Sequence, residues 1–281
     1  TFRHNFVRAT FAGAIRVDDT LHALGGDTLM LGCDIVGNYT SGSPFGRGGF
    51  MFVNDDIGTL GEDMFIVDCK FDSNATSVGF TQSAGGGGVI TVNDNIAGDL
   101  HFVDCSFTHN SAHDGGVLNV RKRVDGNLSF VNCLIDSNVA TGRGGFLRVI
   151  SEFGTPNSQL SIDNCVITRN EAGEEGGVFS IDQWENGSTD LLVNINGSTI
   201  GQNVAGEDGG FMWLYTTDNE AVHVTHSMVD GNTSGENGGV FWFDDDVELW
   251  LRNDTIRNNS SNVHGGVAYV DTDVYLRADS T

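Results

Sequence analysis

Apolar and polar residues alternate along this chain in short runs. In LHFVDCSF, Leu100 and Phe102 lead to Cys105 and Phe107, and Leu160, Ile162, Cys165 and Ile167 repeat that spacing. A period of two means strands rather than helices, because successive strand side chains point to opposite faces. The phase slips by one at the polar residue before each Cys (Asp68, Asp104, Asn132, Asn164), which predicts a corner between two short strands. A third strand is predicted after each small-residue pair, with Leu118 and Val120, Phe179 and Ile181, and Met212 and Leu214 facing inward.

The whole unit recurs. FRHN (from Phe2), IVGN, FDSN, FTHN and IDSN share one pattern that continues to IRNN, ending at Asn259. Between them stand GGFMFV (from Gly48), GGVITV, GGVLNV, GGFLRV, GGVFSI, GGFMWL, GGVFWF and GGVAYV, with AGAIRV (from Ala12) as the first copy. Successive FxxN asparagines are 33, 36, 36, 28, 32, 33, 29 and 27 residues apart. Three short strands per turn, stacked in register ~4.8 Å apart, describe an all-β parallel β-helix of about nine coils. Right-handed winding follows from the strong preference of parallel crossovers. A single domain over 1–281 is expected. Because the repeats run to both ends without a polar terminal copy, the chain reads as a segment of a longer repeat protein or a rod that self-associates end to end.

Position within the repeat assigns most conspicuous residues to the fold. Cys33, Cys69, Cys105, Cys133 and Cys165 occupy one position, continued by Ser198, Ser227 and Asp254, so a buried thiol stack is expected rather than a disulfide framework. The FxxN asparagines should stack their amides and satisfy backbone groups at a tight corner.

Alternating FxxN and GG[A/V/L/F]-[I/L] tetrapeptides resemble the repeats of the chlamydial polymorphic outer-membrane protein family. FRHN, FDSN and FTHN match one motif, and AGAI with the GGVI, GGVL and GGVF copies match the other, over essentially the whole chain. The resemblance implies a β-helical surface passenger whose role is display and adhesion, outside the cell. No β-barrel anchor region follows within this sequence.

Charge narrows the partners. With 38 acidic and 14 basic residues the net charge is −24, which repels phosphate backbones and anionic membranes, so nucleic acid is excluded as a partner. No apolar stretch reaches the ~18 residues of a spanning helix, so membrane insertion by this segment is not expected. Expected partners are other protein chains or surface glycans.

Candidate chemistry is sparse. Asp18–Asp19, Asp55–Asp56 and Asp244–Asp246 sit in the variable turns several coils apart, and Arg121-Lys122-Arg123 is an isolated basic turn, so a non-catalytic role is expected. The alternative is a carbohydrate-active, pectin lyase-like enzyme on the same fold. Acids before the Gly pair, including Asp114, Glu175, Asp208 and Glu236, align along one edge as either a solvated acidic face or a weak Ca²⁺ ladder. Trp213, Trp242 and Tyr269 fall on outward positions one rung apart, either as a platform for sugars or a partner chain, or as cover for the sheet. Among nine N-x-[S/T] sequons, Asn127 and Asn186 lie in turns between coils and are the expected glycan carriers.

Overall fold

The structure is a computed structural model that describes residues 1–7, 12–22, 27–41, 47–77, 86–155, 158–183, 191–216 and 220–280. These residues form an all-β parallel solenoid, and every named secondary element is a strand. One coil shows the plan. Strand a (Asp99–Val103) turns at Asp104 into strand b (Ser106–Thr108), and b turns at His109 and Asn110 into strand c (Ser111–Ala112). The Gly115–Gly116 corner then leads into strand d (Leu118–Val120). Equivalent strands of successive coils pair in parallel, giving four sheets of nine strands each.

Two expectations need correction. Each coil has four strands, not three; strand c is two residues long, and a period of two cannot reveal itself in two residues. The repeats also do not make nine equivalent coils. The first and last strands of every sheet have one neighbour instead of two, so about seven turns are enclosed on both sides. In the terminal rungs, core-position residues such as Phe2, Ile15, Ile256 and Val270 remain half-buried.

Inside the enclosed turns the inward side chains stack on their own kind. Phe71 lies on Phe107 and Phe102 on Phe130, with centroids 5.0 and 5.1 Å apart and rings 4° from parallel. The inter-coil turn, variable in sequence, adds a fifth short ladder. Leu21, Ile57, Ile96 and Val124 bridge one another in parallel, and Val124 pairs with Phe153.

The corners are built as the repeat predicts. Asp68, Asp104, Asn132 and Asn164 all take φ near +50°. After the second corner, Asn38, Asn74, Asn110, Asn138, Asn170, Asn203 and Asn232 are wholly buried. Each donates from Nδ2 to the Oδ1 of the next at 2.8–3.0 Å, and its backbone N–H donates to the same oxygen. The second amide hydrogen goes to a backbone carbonyl of the preceding coil, such as Phe107 O for Asn138 at 2.9 Å. The five cysteines are free thiols; Cys69, Cys105, Cys133 and Cys165 are buried, and Cys33 is half-buried at the open end. Cys105 donates to Val103 O and Ile66 O, and Ser198 uses the corresponding Asn196 and Ile162 carbonyls, which explains why Ser continues the Cys column.

Candidate functional site

The outward column of sheet d carries Arg148, Trp213, Trp242 and Tyr269. Register places Arg148 beside Ser180, Ser180 beside Trp213, Trp213 beside Trp242 and Trp242 beside Tyr269. The three aromatics therefore do stand one rung apart, outside the core. They do not offer three open ring faces. Trp213 and Trp242 stack with centroids 5.3 Å apart and planes 13° from parallel, and Trp242 and Tyr269 lie 6.5 Å apart at 23°. Tyr215 stacks on Trp213 at 5.8 Å and His264 on Tyr269 at 6.0 Å. Arg143 and Arg148 also lie over the Trp213 ring at 5.4 and 5.9 Å, so Trp213 is only 6% exposed. The expected platform is corrected accordingly: rings on adjacent rungs of a flat sheet present their faces to each other and leave mostly edges to solvent.

Beside this stack lies a cleft of about 210 Å³ lined by His113, Asp114, Arg143, Arg148, Ile150 and Glu174. Three consecutive coils supply it, each through the turn before its Gly pair, and the middle one adds Arg148 of its strand d (Leu147–Val149) and Ile150 just after it. The charged groups hold one another in place. Arg148, 5% exposed, donates from Nη1 to Ser180 Oγ at 2.7 Å and forms a fork with the Asp182 carboxylate, Nη2 to Oδ2 at 2.5 Å. Arg143 Nε lies 2.6 Å from Glu175 Oε2 and 3.4 Å from Glu174 Oε2. Asp114 Oδ1 accepts the Arg143 backbone N–H at 3.2 Å, and His113 Nδ1 lies 2.9 Å from Thr141 Oγ1. Burial pushes the Glu175 carboxyl above its ordinary range, and the Arg143 guanidinium pulls it back only in part.

The proposed acidic ladder is not brought together as a cation site. Glu175 is committed to Arg143, and Asp208 Oδ1 accepts both the backbone N–H and the side-chain amide of Asn237, at 2.8 and 3.0 Å. Glu236 is exposed. Asp114, Glu175, Asp208 and Glu236 do not converge as a ligand set among the described residues. The neighbouring acids do stack on successive coils, with Glu207 N–H donating to Glu174 O at 3.1 Å and Glu236 N–H to Glu207 O at 2.8 Å, but their carboxylates are not among the converging sets of three ligand atoms in the described residues. Like-charge contact persists nearby, where burial and the carboxylates of Glu174, Glu236 and Asp208 raise the Glu207 carboxyl.

Two sets that the sequence reading did not select have ligand atoms within 4.8 Å of one another: Asp63, Asp99 and His101, and Asp55, Asp56 and Asp94. The 36-residue spacing sets Asp63 directly beside Asp99 in sheet a, while the inter-coil turn, where Ile57 bridges Ile96, brings Asp94 to the Asp55–Asp56 pair. The Arg148–Asp182 pair was also missed, because its spacing is not a coil length.

Asn127, the expected glycan carrier, stands half-buried between coils. Its Nδ2 donates to Asp99 Oδ2 at 2.9 Å, its backbone N–H to Asp99 Oδ1 at 2.8 Å, and its Oδ1 accepts the Gln159 N–H at 3.2 Å. The amide nitrogen that glycosylation would use is locked into an inter-coil ladder. Asn186 lies outside the described residues.

Among the described residues, no helix is long and apolar enough to cross a membrane. Compared with protein-family models, curated proteins and solved structures, the chain matches none.

Proposed function

We propose that this chain is a non-catalytic, right-handed β-helical rod that works outside the cell as a structural or adhesive module. The observation that carries the reading is the buried asparagine ladder, unbroken from Asn38 to Asn232. Such a ladder ties every coil to the next along one line and gives a stiff scaffold whose sides are free to vary. The FxxN and GG repeats support display on a surface, in the manner of the chlamydial family they resemble, with other chains or surface glycans as partners. End-to-end self-association, strengthened by salt or Ca²⁺ that screens the acidic flank, belongs to the same proposal.

A second reading, a carbohydrate-active enzyme, draws on one observation: Asp114, Arg143, Arg148 and Glu174 from adjacent coils meet in one cleft. Two points weigh against it. Arg148 is forked onto Asp182, and Arg143 is paired with Glu175, so neither guanidinium is poised as a base.

Adhesion of chain-coated beads to cells, measured beside release of reducing ends from a polysaccharide panel, separates the two. The rod reading expects adhesion without release. Release that disappears in Glu174→Gln would transfer the function to the cleft as an enzyme.

A further inference from the structure

The cleft at His113, Asp114, Arg143 and Glu174 has a ligand preference that can be worked out by elimination. Its charges come first. Arg148 is paired with Asp182, and Arg143 is shared between Glu175 at 2.6 Å and Glu174 at 3.4 Å, so the carboxylates in and around the cleft (Asp114, Glu174, Glu175 and Asp182) outnumber its guanidiniums in a molecule of net charge −24. An anionic ligand, including a uronate, would meet like charge at short range and is disfavoured. A bare cation fares no better. Asp114 and Glu174 are not part of any set of three converging ligand atoms among the described residues, and two guanidiniums border the cleft. An apolar ligand would strand the polar groups that line it.

What remains is a neutral ligand that both donates and accepts hydrogen bonds at closely spaced points. We propose that this cleft is a subsite for one neutral pyranose unit of a glycan. The fit has three parts. A volume of about 210 Å³ is smaller than a site for a drug-sized molecule and suits a single ring. Its lining comes from three coils ~4.8 Å apart, so it extends about 10 Å along the rod, enough for one ring and its linkage. The polar groups are held in advance: Arg143 by Glu175, Asp114 by the Arg143 N–H and His113 by Thr141, so little ordering is needed on binding. Carboxylate oxygens accept from adjacent hydroxyls, guanidinium groups donate, the imidazole can donate or accept, and Ile150 supplies an apolar wall for the ring's C–H face.

This subsite is independent of the rod reading, since a rod without it would still be a rod. The test is saturation-transfer NMR and calorimetry on the intact chain with glucose, galactose, mannose, fucose and N-acetylglucosamine, with galacturonate as the charged comparison. At least one neutral sugar should bind, galacturonate should not, and chelation of divalent ions should leave binding unchanged. Asp114→Ala and, separately, Glu174→Ala should each weaken binding about tenfold, the loss of a charge-assisted hydrogen bond. Glu174 is an edge residue with a third of its side chain exposed, so its variant keeps the test valid if Asp114→Ala unfolds. The proposal is overturned if no neutral sugar binds, if galacturonate binds as well, if chelation abolishes binding, or if both folded variants bind like the parent.

Discussion

Asn138 uses every hydrogen-bonding position its side chain has. Its Oδ1 accepts both the backbone and side-chain N–H of Asn110, and its Nδ2 donates to Phe107 O and Asn170 Oδ1. All of this lies at zero exposure, where each orphaned polar group costs about 1–3 kcal/mol. Asn138→Ala should therefore destabilise the chain by about 3–5 kcal/mol, since several partners lose their bonds at once. Denaturant melts check the total, and hydrogen exchange should show the loss centred on the Phe107–Asn110 coil and the Asn170 coil. A change below about 1 kcal/mol would mean that the ladder closes around the gap. The cysteine column is more forgiving. Its thiols and the serines that follow donate to equivalent carbonyls, so the rung requires a small donor rather than sulfur.

At the scale of the strand and its corners, both glycines of the Gly176–Gly177 pair leave no room for a Cβ, which at Gly176 would meet Phe179 O at 2.2 Å, but only the first also needs a positive φ. Gly176 takes φ +68°, and at Gly177 a Cβ would sit 2.2 Å from Gly210 O and 2.8 Å from Val204 O. Both obstacles are backbone atoms of the next coil, so neither can swing aside. Gly177→Ala should cost about 1–3 kcal/mol or more, because the coil spacing itself must open. Gly32 is the contrasting case, with φ +61° and nothing within 4 Å of an added Cβ. Since Asn tolerates the left-handed region, Gly32→Asn should be close to neutral. Thermal melts of the two variants side by side separate crowding from backbone conformation. The same corners draw in residues with no local preference for them: Arg169 and Gln202 hold φ +56° and +58°. The ladder imposes this conformation, which their own propensities would resist.

For the molecule as a whole, the excess of carboxylates sets the response to pH. Glu207 is raised by burial and by Glu174, Glu236 and Asp208, and Glu175 is raised by burial. A carboxyl raised in the folded state binds its proton more tightly there than in the unfolded chain. Stability therefore falls as pH rises through its folded range and is regained as pH drops. Asp230, held down by Asn258 and Arg257, works in the opposite direction: its contribution is lost as pH falls below the ordinary carboxylate range. The melting temperature should rise as pH is lowered from 7 to about 5 and then decline in stronger acid. Glu207→Gln should flatten the upper part of that profile, and added salt should do so as well by screening the exposed edge. A profile that falls steadily from pH 7 downward would contradict this assignment.

The linear sequence was enough to determine the parts of this protein that depend on repetition. In a solenoid, residues one repeat apart are neighbours in space, so the strand period, the αL corners at Asp68 and Asp104, the amide ladder and the thiol column could all be read from spacing. Tertiary structure alone decided the rest, for reasons of length and direction. Two-residue strands such as Ser111–Ala112 carry no period, which is why the third sheet was not seen. The turn before Gly115 is one residue shorter than that before Gly144, so Asp114 meets the Arg143 backbone instead of the other acids, and Arg148 reaches past its register partner Ser180 to Asp182, two residues along the strand. Register placed Trp213, Trp242 and Tyr269 on neighbouring rungs, but side-chain packing turned their faces toward one another. Repetition determines which side chains are neighbours, whereas rotamers and turn lengths determine what those neighbours do.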